Sequence, residues 1–133
     1  MEETIVAIMY DFDKTLCGRD MQEYSFIPYV GKTPATFWGD TTKIAKDENM
    51  DKIIAYMYEM LVCLKEKNEY ATRPLLQKMG ANVELFTGVK DFFRRINEYG
   101  KERGLKIEHY IISSGLKEII EGTPIASCFK EIF

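Results

Sequence analysis

The chain has 133 residues, of which 46% are hydrophobic and 29% are charged, and its formal net charge is −3. This is an ordinary composition for one soluble globular domain, and the mixed, slightly acidic charge argues against nucleic acid as a partner. The sequence opens Met1-Glu2-Glu3, unlike a signal peptide, and has no apolar run of the roughly 18 residues that a membrane span needs. We therefore expect no membrane partner and a cytoplasmic location.

The first predicted element is a strand that begins at Ile5. Six consecutive apolar residues lead into Asp11-Phe12-Asp13, which predicts a parallel strand buried on both faces with acids just past its C-terminal end. Ligands bind at that end of open α/β sheets. Two carboxylates around one point can hold a cation, and one can attack while the other handles a proton. The alternative is that Asp11 and Asp13 only form a turn after the strand.

Residues 17–82 predict a helical unit. Helical spacing, caps and breakers indicate four helices, at 21–27 after an Asp20 cap, from 34 toward 45, from 51 to about 65, and at 71–79 before Gly80. A stripe of Met and aromatic residues at helical spacing in this unit fits a packed core better than a substrate pocket. It contains Phe26, Met57, Tyr58 and Met60.

An α/β pattern returns after residue 82. We predict a helix from Val89 to Tyr99, a strand at 106–112, and a helix that opens after Ser113-Ser114-Gly115. Serine hydroxyls and backbone N–H groups at a helix N-terminus suit phosphate, although such serines can also serve only as caps.

Several other polar residues carry no catalytic prediction. His109 is the single histidine, and its place near a strand end favours packing or surface exposure. Lys14 is expected to face solvent. Cys17, Cys63 and Cys128 lack C-x-x-C spacing, which favours reduced thiols over disulfides or zinc ligands. Cys17 lies near the acids, but a space-filling role is favoured over a reactive thiol.

The stretch Asp11-Phe12-Asp13-Lys14-Thr15-Leu16 after an apolar strand resembles the first motif of the haloacid dehalogenase superfamily, D-x-D-x-[TV]-L. The resemblance implies an α/β fold with a partial Rossmann-like parallel sheet. It implies an incomplete core at 1–16 and 83–133 and an inserted helical cap at 17–82. It also implies that Asp11 is a nucleophile and Asp13 a general acid and base. The second Asp is typical of phosphatases and phosphomutases rather than dehalogenases.

The same resemblance supplies a second motif, a strand that ends in Ser or Thr. Ser113 matches it as the residue that binds a phosphoryl oxygen, or Ser114 if the register shifts by one, with Gly115 completing the phosphate loop. The family resemblance implies Mg²⁺ as the cofactor, held by Asp11 and Asp13, and a small phosphate ester as the substrate. The substrate itself cannot be chosen from the sequence.

The family's later motifs, a Lys and a pair of acids, have no match after Ser113. Lys117 lies too close to Ser113, and the late acids Glu121 and Glu131 stand alone. We therefore expect the N-terminal part of a longer phosphatase with weak activity, and a homodimer through an exposed sheet edge. The alternative is a non-catalytic fragment that binds a partner or oligomerises, and a thiol enzyme that uses Cys17 is poorly supported.

Overall fold

The fold, a computed structural model that describes residues 2–133, contains three strands and six α-helices in that range. The strands are β1 (Thr4–Tyr10), β2 (Leu105–Ile111) and β3 (Glu131–Ile132). The helices are α1 (Phe26–Tyr29), α2 (Pro34–Asp47), α3 (Lys52–Glu66), α4 (Arg73–Gly80), α5 (Val89–Lys101) and α6 (Lys117–Glu121). Two 3₁₀ turns lie at Met21–Glu23 and Ala126–Cys128. No helix between residues 2 and 133 has the length and apolar character to cross a bilayer.

The strands form one parallel sheet in the order β1-β2-β3. The register of β1 and β2 runs from Thr4 opposite Leu105 to Tyr10 opposite Ile111. Helices α2 to α4 lie in the chain between β1 and α5, so a long helical segment separates the first strand from the rest of the sheet. The predicted α/β class with a parallel sheet is confirmed.

One face of the sheet packs against α5 through aromatic rings. The ring of Phe93 lies 5.6 Å from Tyr10, 5.0 Å from His109 and 5.2 Å from Phe129, measured between centroids. His109 is buried, and its two ring nitrogens lie 2.9 Å from the Tyr10 hydroxyl and 2.8 Å from Asn97 Oδ1. Burial lowers the pKa of His109. Of the two positions that the sequence left open for this histidine, packing and surface exposure, the structure shows packing.

The opposite face of the sheet is exposed, and here the prediction of a strand buried on both sides is wrong. β1 is the edge strand of the described sheet, and Ile5 and Met9 are 54% and 64% exposed. By the alternation of strand side chains, Ile112 and Phe133 share this face, and both are exposed. We call Ile5, Met9, Ile112 and Phe133 the open sheet face. The apolar run reflects strand formation here, without the covering layer that we expected.

The two longest helices begin at the residues that the sequence indicates. The Thr33 side chain accepts a bond from the Thr36 N–H at the start of α2, and the Asp51 side chain accepts one from Ile53 N–H at the start of α3. The predicted helix at 21–27 is wrong, because a 3₁₀ turn and the short α1 occupy this region. Asp20 makes no capping bond, and its carboxylate instead lies 3.1 Å from Lys14 Nζ.

The apolar stripe of the helical segment is only partly core. Phe26 and Met60 are fully buried, Met57 is half-buried, and Tyr58 is 51% exposed. The core interpretation is therefore confirmed for Phe26 and Met60 and wrong for Tyr58. The buried residues of this segment join those of the α/β part in one hydrophobic cluster, whose largest fully buried side chains include Phe12, Phe26, Phe37, Met21 and Ile27.

Helices α4 and α6 approach each other backbone to backbone. A Cβ on Gly80 would lie 2.1 Å from the Ile119 carbonyl oxygen, and one on Gly122 would lie 1.7 Å from the Gln77 carbonyl oxygen. Gly80, predicted as a helix stop, is the last residue of α4, and its lack of a side chain permits this contact.

Candidate active site

The first predicted acid, Asp11, follows β1 directly and is exposed to solvent. Its Oδ1 accepts a hydrogen bond from the Phe12 N–H at 2.9 Å, and its Oδ2 accepts one from the Thr15 hydroxyl at 3.3 Å. The fully buried Phe12 ring anchors the turn, and the Phe12 carbonyl accepts from the Leu16 N–H at 2.9 Å. The turn thus holds the Asp11 carboxylate in place while leaving it open to a ligand.

The second acid, Asp13, is partly buried two residues later. Its Oδ1 accepts a bond from the Met21 N–H at 2.8 Å. Burial raises the pKa of Asp13 to about 6, the Met21 bond opposes this rise, and the charges of Asp20 and Asp11 add to it. A carboxyl with this pKa can give up or take a proton near neutral pH.

The raised pKa of Asp13 predicts a specific pH dependence of stability. Between pH 3.8 and about 6 the folded protein keeps this proton and the unfolded chain releases it, so the free energy of unfolding falls as pH rises through that window. The full pKa difference between the folded and unfolded states corresponds to roughly 3 kcal/mol of unfolding free energy. The partial exposure of Asp13 reduces the expected change to about 1–2 kcal/mol. Asp13→Asn keeps an acceptor for Met21 and should escape this loss.

Urea unfolding in metal-free buffer between pH 4 and 7 measures the effect. The stability of Asp13→Asn relative to wild type should rise by about 1–2 kcal/mol across the range. Glu48→Gln, which removes an exposed carboxylate at the end of α2, is the control and should show no such trend. A difference between Asp13→Asn and wild type that stays flat with pH would show that Asp13 titrates near its ordinary value.

The predicted phosphate loop, Ser113 to Gly115, follows β2 but does not open α6. The helix begins at Lys117 with Leu116 as an N-cap that makes no side-chain bond, so the prediction of serines at a helix N-terminus is wrong. The Ser113 Oγ instead accepts a bond from the Gly115 N–H at 3.0 Å. This arrangement leaves the Ser113 hydroxyl proton free to point toward an anion.

Met21 connects the two predicted loops. Its N–H bonds Asp13, and its sulfur lies 3.2 Å from the Leu116 nitrogen, which donates to it. A Cβ on Gly115 would lie 2.1 Å from the Met21 methyl carbon, so a larger residue at position 115 would displace the end of the Met21 side chain. The sequence indicates Met21 only as an apolar residue, and no motif signals this connection.

A cavity of about 220 Å³ lies between the first loop and the helical segment. Asp13 and Ser114 line it from the α/β side, and the Tyr56 hydroxyl of α3 donates to the Ser114 carbonyl at 2.7 Å. The remaining lining residues are Asp20, Gln22, Trp38, Thr41, Thr42, Lys52 and Ile53. Asp11, Ser113 and Gly115 lie outside this cavity, so the structure brings only Asp13 and Ser114 of the five predicted site residues to it.

Two other candidate residues, Cys17 and Lys14, lie near the site. Cys17 is fully buried, and burial raises the pKa of its thiol, which opposes nucleophilic chemistry. The Lys14 side chain is largely exposed, as predicted. All three cysteines are free thiols.

The donor set for a magnesium ion is small. Residues 2–133 contain no group of three or more His, Cys, Asp or Glu side chains placed to share a metal. Mg²⁺ is nonetheless commonly held by one or two carboxylates together with waters and substrate phosphate. Each Asp11 oxygen accepts one bond from a neutral donor and keeps a lone pair, so the Asp11 carboxylate together with the Asp13 backbone carbonyl meets this minimum requirement.

Comparison with known proteins gives two similarities. No protein-family model matches the chain. An uncharacterised protein of Borreliella burgdorferi is 29% identical over 141 residues, which cover 98% of this chain and 49% of that protein. Among solved structures, L-2-haloacid dehalogenase from Xanthobacter autotrophicus has a TM-score of 0.45 and 14% identity, over 98% of this chain and 56% of that one. The chain thus spans about half the length of each of these two proteins.

Proposed function

We propose that the chain carries the catalytic aspartates of a Mg²⁺-dependent phosphomonoester hydrolase. The observation that carries the proposal is the pair Asp11 and Asp13 on one turn, in two different environments. Asp11 is exposed with free lone pairs, as a nucleophile requires, while burial raises the pKa of Asp13 to about 6, as a proton donor requires. The resemblance of this turn to the first haloacid dehalogenase motif supports the same assignment.

In the first step, an Asp11 oxygen attacks phosphorus and the bond from phosphorus to the ester oxygen breaks. Asp13 gives its proton to the leaving oxygen, so an alcohol departs and an aspartyl-phosphate remains. In the second step, Asp13, now ionised, takes a proton from water as that water attacks phosphorus. Phosphate leaves, and Asp11 is regenerated. A pKa near 6 suits Asp13 to both proton transfers.

The other residues act by binding and charge compensation. The Ser113 hydroxyl, which accepts from the Gly115 N–H, donates to a phosphoryl oxygen, and Ser114 lies at the cavity beside Asp13. The Asp11 carboxylate and the Asp13 backbone carbonyl would hold Mg²⁺, which would supply positive charge to offset the phosphoryl oxygens. Residues 17–82 serve as a cap that encloses the leaving group.

Hydrolysis of p-nitrophenyl phosphate tests this function. We expect slow release of nitrophenol that requires Mg²⁺ and stops in EDTA, with phosphate as the second product. Release that is equal with and without Mg²⁺ would contradict a metal-dependent hydrolase. Phosphate transfer to an added alcohol without net phosphate release would instead indicate a phosphotransferase or phosphomutase with the same two aspartates.

A second candidate function is a non-catalytic module that associates through its sheet. The open sheet face exposes four large apolar side chains, and β1 is an edge strand of the described sheet. Such edges pair with strands of other chains. A homodimer that forms through β1, together with no Mg²⁺-dependent hydrolysis, would favour this function over the first.

A further inference from the structure

One side-chain hydrogen bond joins α3 of the helical segment to the loop that follows β2. The Tyr56 hydroxyl donates to the Ser114 carbonyl at 2.7 Å, across 58 positions of the chain. Tyr56 is 6% exposed, and burial together with the charge of Asp13 raises the pKa of its phenol to about 12. The phenol therefore keeps its proton at neutral pH and serves as a donor to this carbonyl.

The acceptor belongs to a peptide group that is bonded on both sides. The Ser114 carbonyl and the Gly115 N–H form one peptide unit, and no peptide bond between residues 2 and 133 is cis. In a planar trans peptide the carbonyl and the N–H point to opposite sides. Tyr56 holds the carbonyl, while the N–H on the other side donates to the Ser113 Oγ at 3.0 Å. Tyr56 thus acts on the Ser113 hydroxyl through one peptide group.

The orientation of this peptide group decides what the Ser113 hydroxyl can bind. In the structure the N–H of Gly115 occupies a lone pair of the Ser113 oxygen, so the hydroxyl proton is available to an anion. If the peptide turned over, its carbonyl would face Ser113, and the hydroxyl proton would bond that carbonyl instead. Glycine accepts positive as well as negative φ, so the backbone at position 115 presents little obstacle to the turned-over form.

The other hydrogen bonds of this loop act at its two ends. The Ser113 N–H donates to the Phe133 carbonyl at 3.1 Å, and the Leu116 N–H donates to the Met21 sulfur at 3.2 Å. Neither bond involves the peptide group between these two ends. Among residues 2–133, the side chain outside the loop that bonds this peptide group is Tyr56.

We propose that Tyr56 is a positioning residue for phosphate, which holds the peptide group after Ser114 so that the Ser113 hydroxyl donates to a phosphoryl oxygen. The role of Ser113 in this inference rests on the proposed phosphatase function, whereas the orientation of the peptide group can be measured independently of it. The helical segment then contributes to phosphate binding through a tyrosine that does not contact the phosphate.

The amide of Gly115 reports the peptide orientation in ¹⁵N-labelled protein. Tyr56→Phe keeps the ring, whose centroid lies 6.2 Å from that of Trp38, and removes only the hydroxyl. We expect this variant to shift the Gly115 amide resonance and to speed its exchange with solvent about tenfold, the effect of one lost hydrogen bond. Tyr29→Phe removes a hydroxyl that bonds Glu69 and should leave Gly115 unchanged. An identical Gly115 amide in Tyr56→Phe and wild type would overturn the proposal.

Calorimetric titration with inorganic phosphate in the presence of Mg²⁺ measures the consequence for binding. The Kd of Tyr56→Phe should be about tenfold higher than that of wild type, because a charge-assisted bond to phosphate is weakened. Tyr29→Phe should bind phosphate like wild type. A Kd in Tyr56→Phe equal to that of wild type would overturn the role of this tyrosine in phosphate binding.

A double-mutant cycle with Ser113→Ala tests the route of the effect. If Tyr56 acts through the Ser113 hydroxyl, Tyr56→Phe should raise the Kd less than about twofold in the Ser113→Ala background. Equal factors in both backgrounds would overturn this route. A wild type that binds phosphate no more tightly than Ser113→Ala would overturn the role of Ser113 in the proposed phosphatase and with it the phosphate part of this proposal. The Gly115 amide then decides separately whether Tyr56 holds the peptide group.

Discussion

Asp11→Asn is expected to reduce Mg²⁺-dependent hydrolysis of p-nitrophenyl phosphate at least a thousandfold, to the background rate. The amide has the shape of the carboxylate, and its oxygen can still accept the Phe12 bond while its NH₂ donates to the Thr15 hydroxyl oxygen, but it is a far weaker nucleophile and a weaker ligand for a cation. A thousandfold loss corresponds to about 4 kcal/mol of transition-state stabilisation. Initial rates at saturating Mg²⁺, with protein verified as folded by circular dichroism, measure it.

The control for this variant is Asp47→Asn, which removes an exposed carboxylate at the end of α2 and should retain the wild-type rate. Trapping adds a second test. Rapid acid quenching of the wild type with labelled ester should leave phosphate bound to the protein, and the same treatment of Asp11→Asn should leave none. Hydrolysis by Asp11→Asn within tenfold of the wild type would exclude Asp11 as the nucleophile.

Gly122→Ala is expected to destabilise the fold by about 3 kcal/mol. The backbone of Gly122 has φ −84°, which any residue can adopt, so the effect is purely one of space. The added methyl would lie 1.7 Å from the Gln77 carbonyl oxygen, a backbone atom of α4 that no rotamer change can move. Overpacking of this kind costs 1–3 kcal/mol or more and should lower Tm by about 10 °C in a chain of this size.

Gly39→Ala is the matched control for the helix contact. Gly39 lies inside α2, and a Cβ there would have no atom within 4 Å. Alanine should stabilise this position by about 0.5–1 kcal/mol, because it restricts the unfolded chain and favours helix. Thermal unfolding of both variants measures the contrast. A Gly122→Ala protein as stable as wild type would show that α4 and α6 separate easily.

Local sequence signals predicted the helices whose first turn is capped by a single side chain. Thr33 with Pro34 and Asp51 marked the starts of α2 and α3, because these side chains bond N–H groups within the same turn. The parallel sheet followed from apolar runs separated by helices. The exposure of one face of β1 could not be predicted, because an apolar strand has the same sequence pattern whether or not a second layer covers it.

Only the part of the candidate site that one short segment forms could be predicted from the sequence. The turn at Asp11 and Asp13 could be predicted because six neighbouring residues form it. The cavity could not, because its lining comes from the first loop, the 3₁₀ turn at Met21–Glu23, α2 and α3, which no common sequence spacing links. The Ser113 loop also differed from expectation, since its hydroxyl bonds Gly115 and the helix starts later. This loop contacts Met21 through Leu116, and the two residues are 95 positions apart in the chain.

The position of Met21 makes proton binding and loop order thermodynamically linked. The Met21 N–H favours the ionised form of Asp13, so an ionised Asp13 in turn holds Met21, whose sulfur accepts from the second loop at Leu116. Reciprocity requires that any ligand that draws Met21 away from Asp13 raises the pKa of that carboxyl further. Protonation of Asp13 likewise weakens the bond from the Met21 N–H. One buried methionine thus joins a titrating carboxyl at the first loop to the backbone of the second.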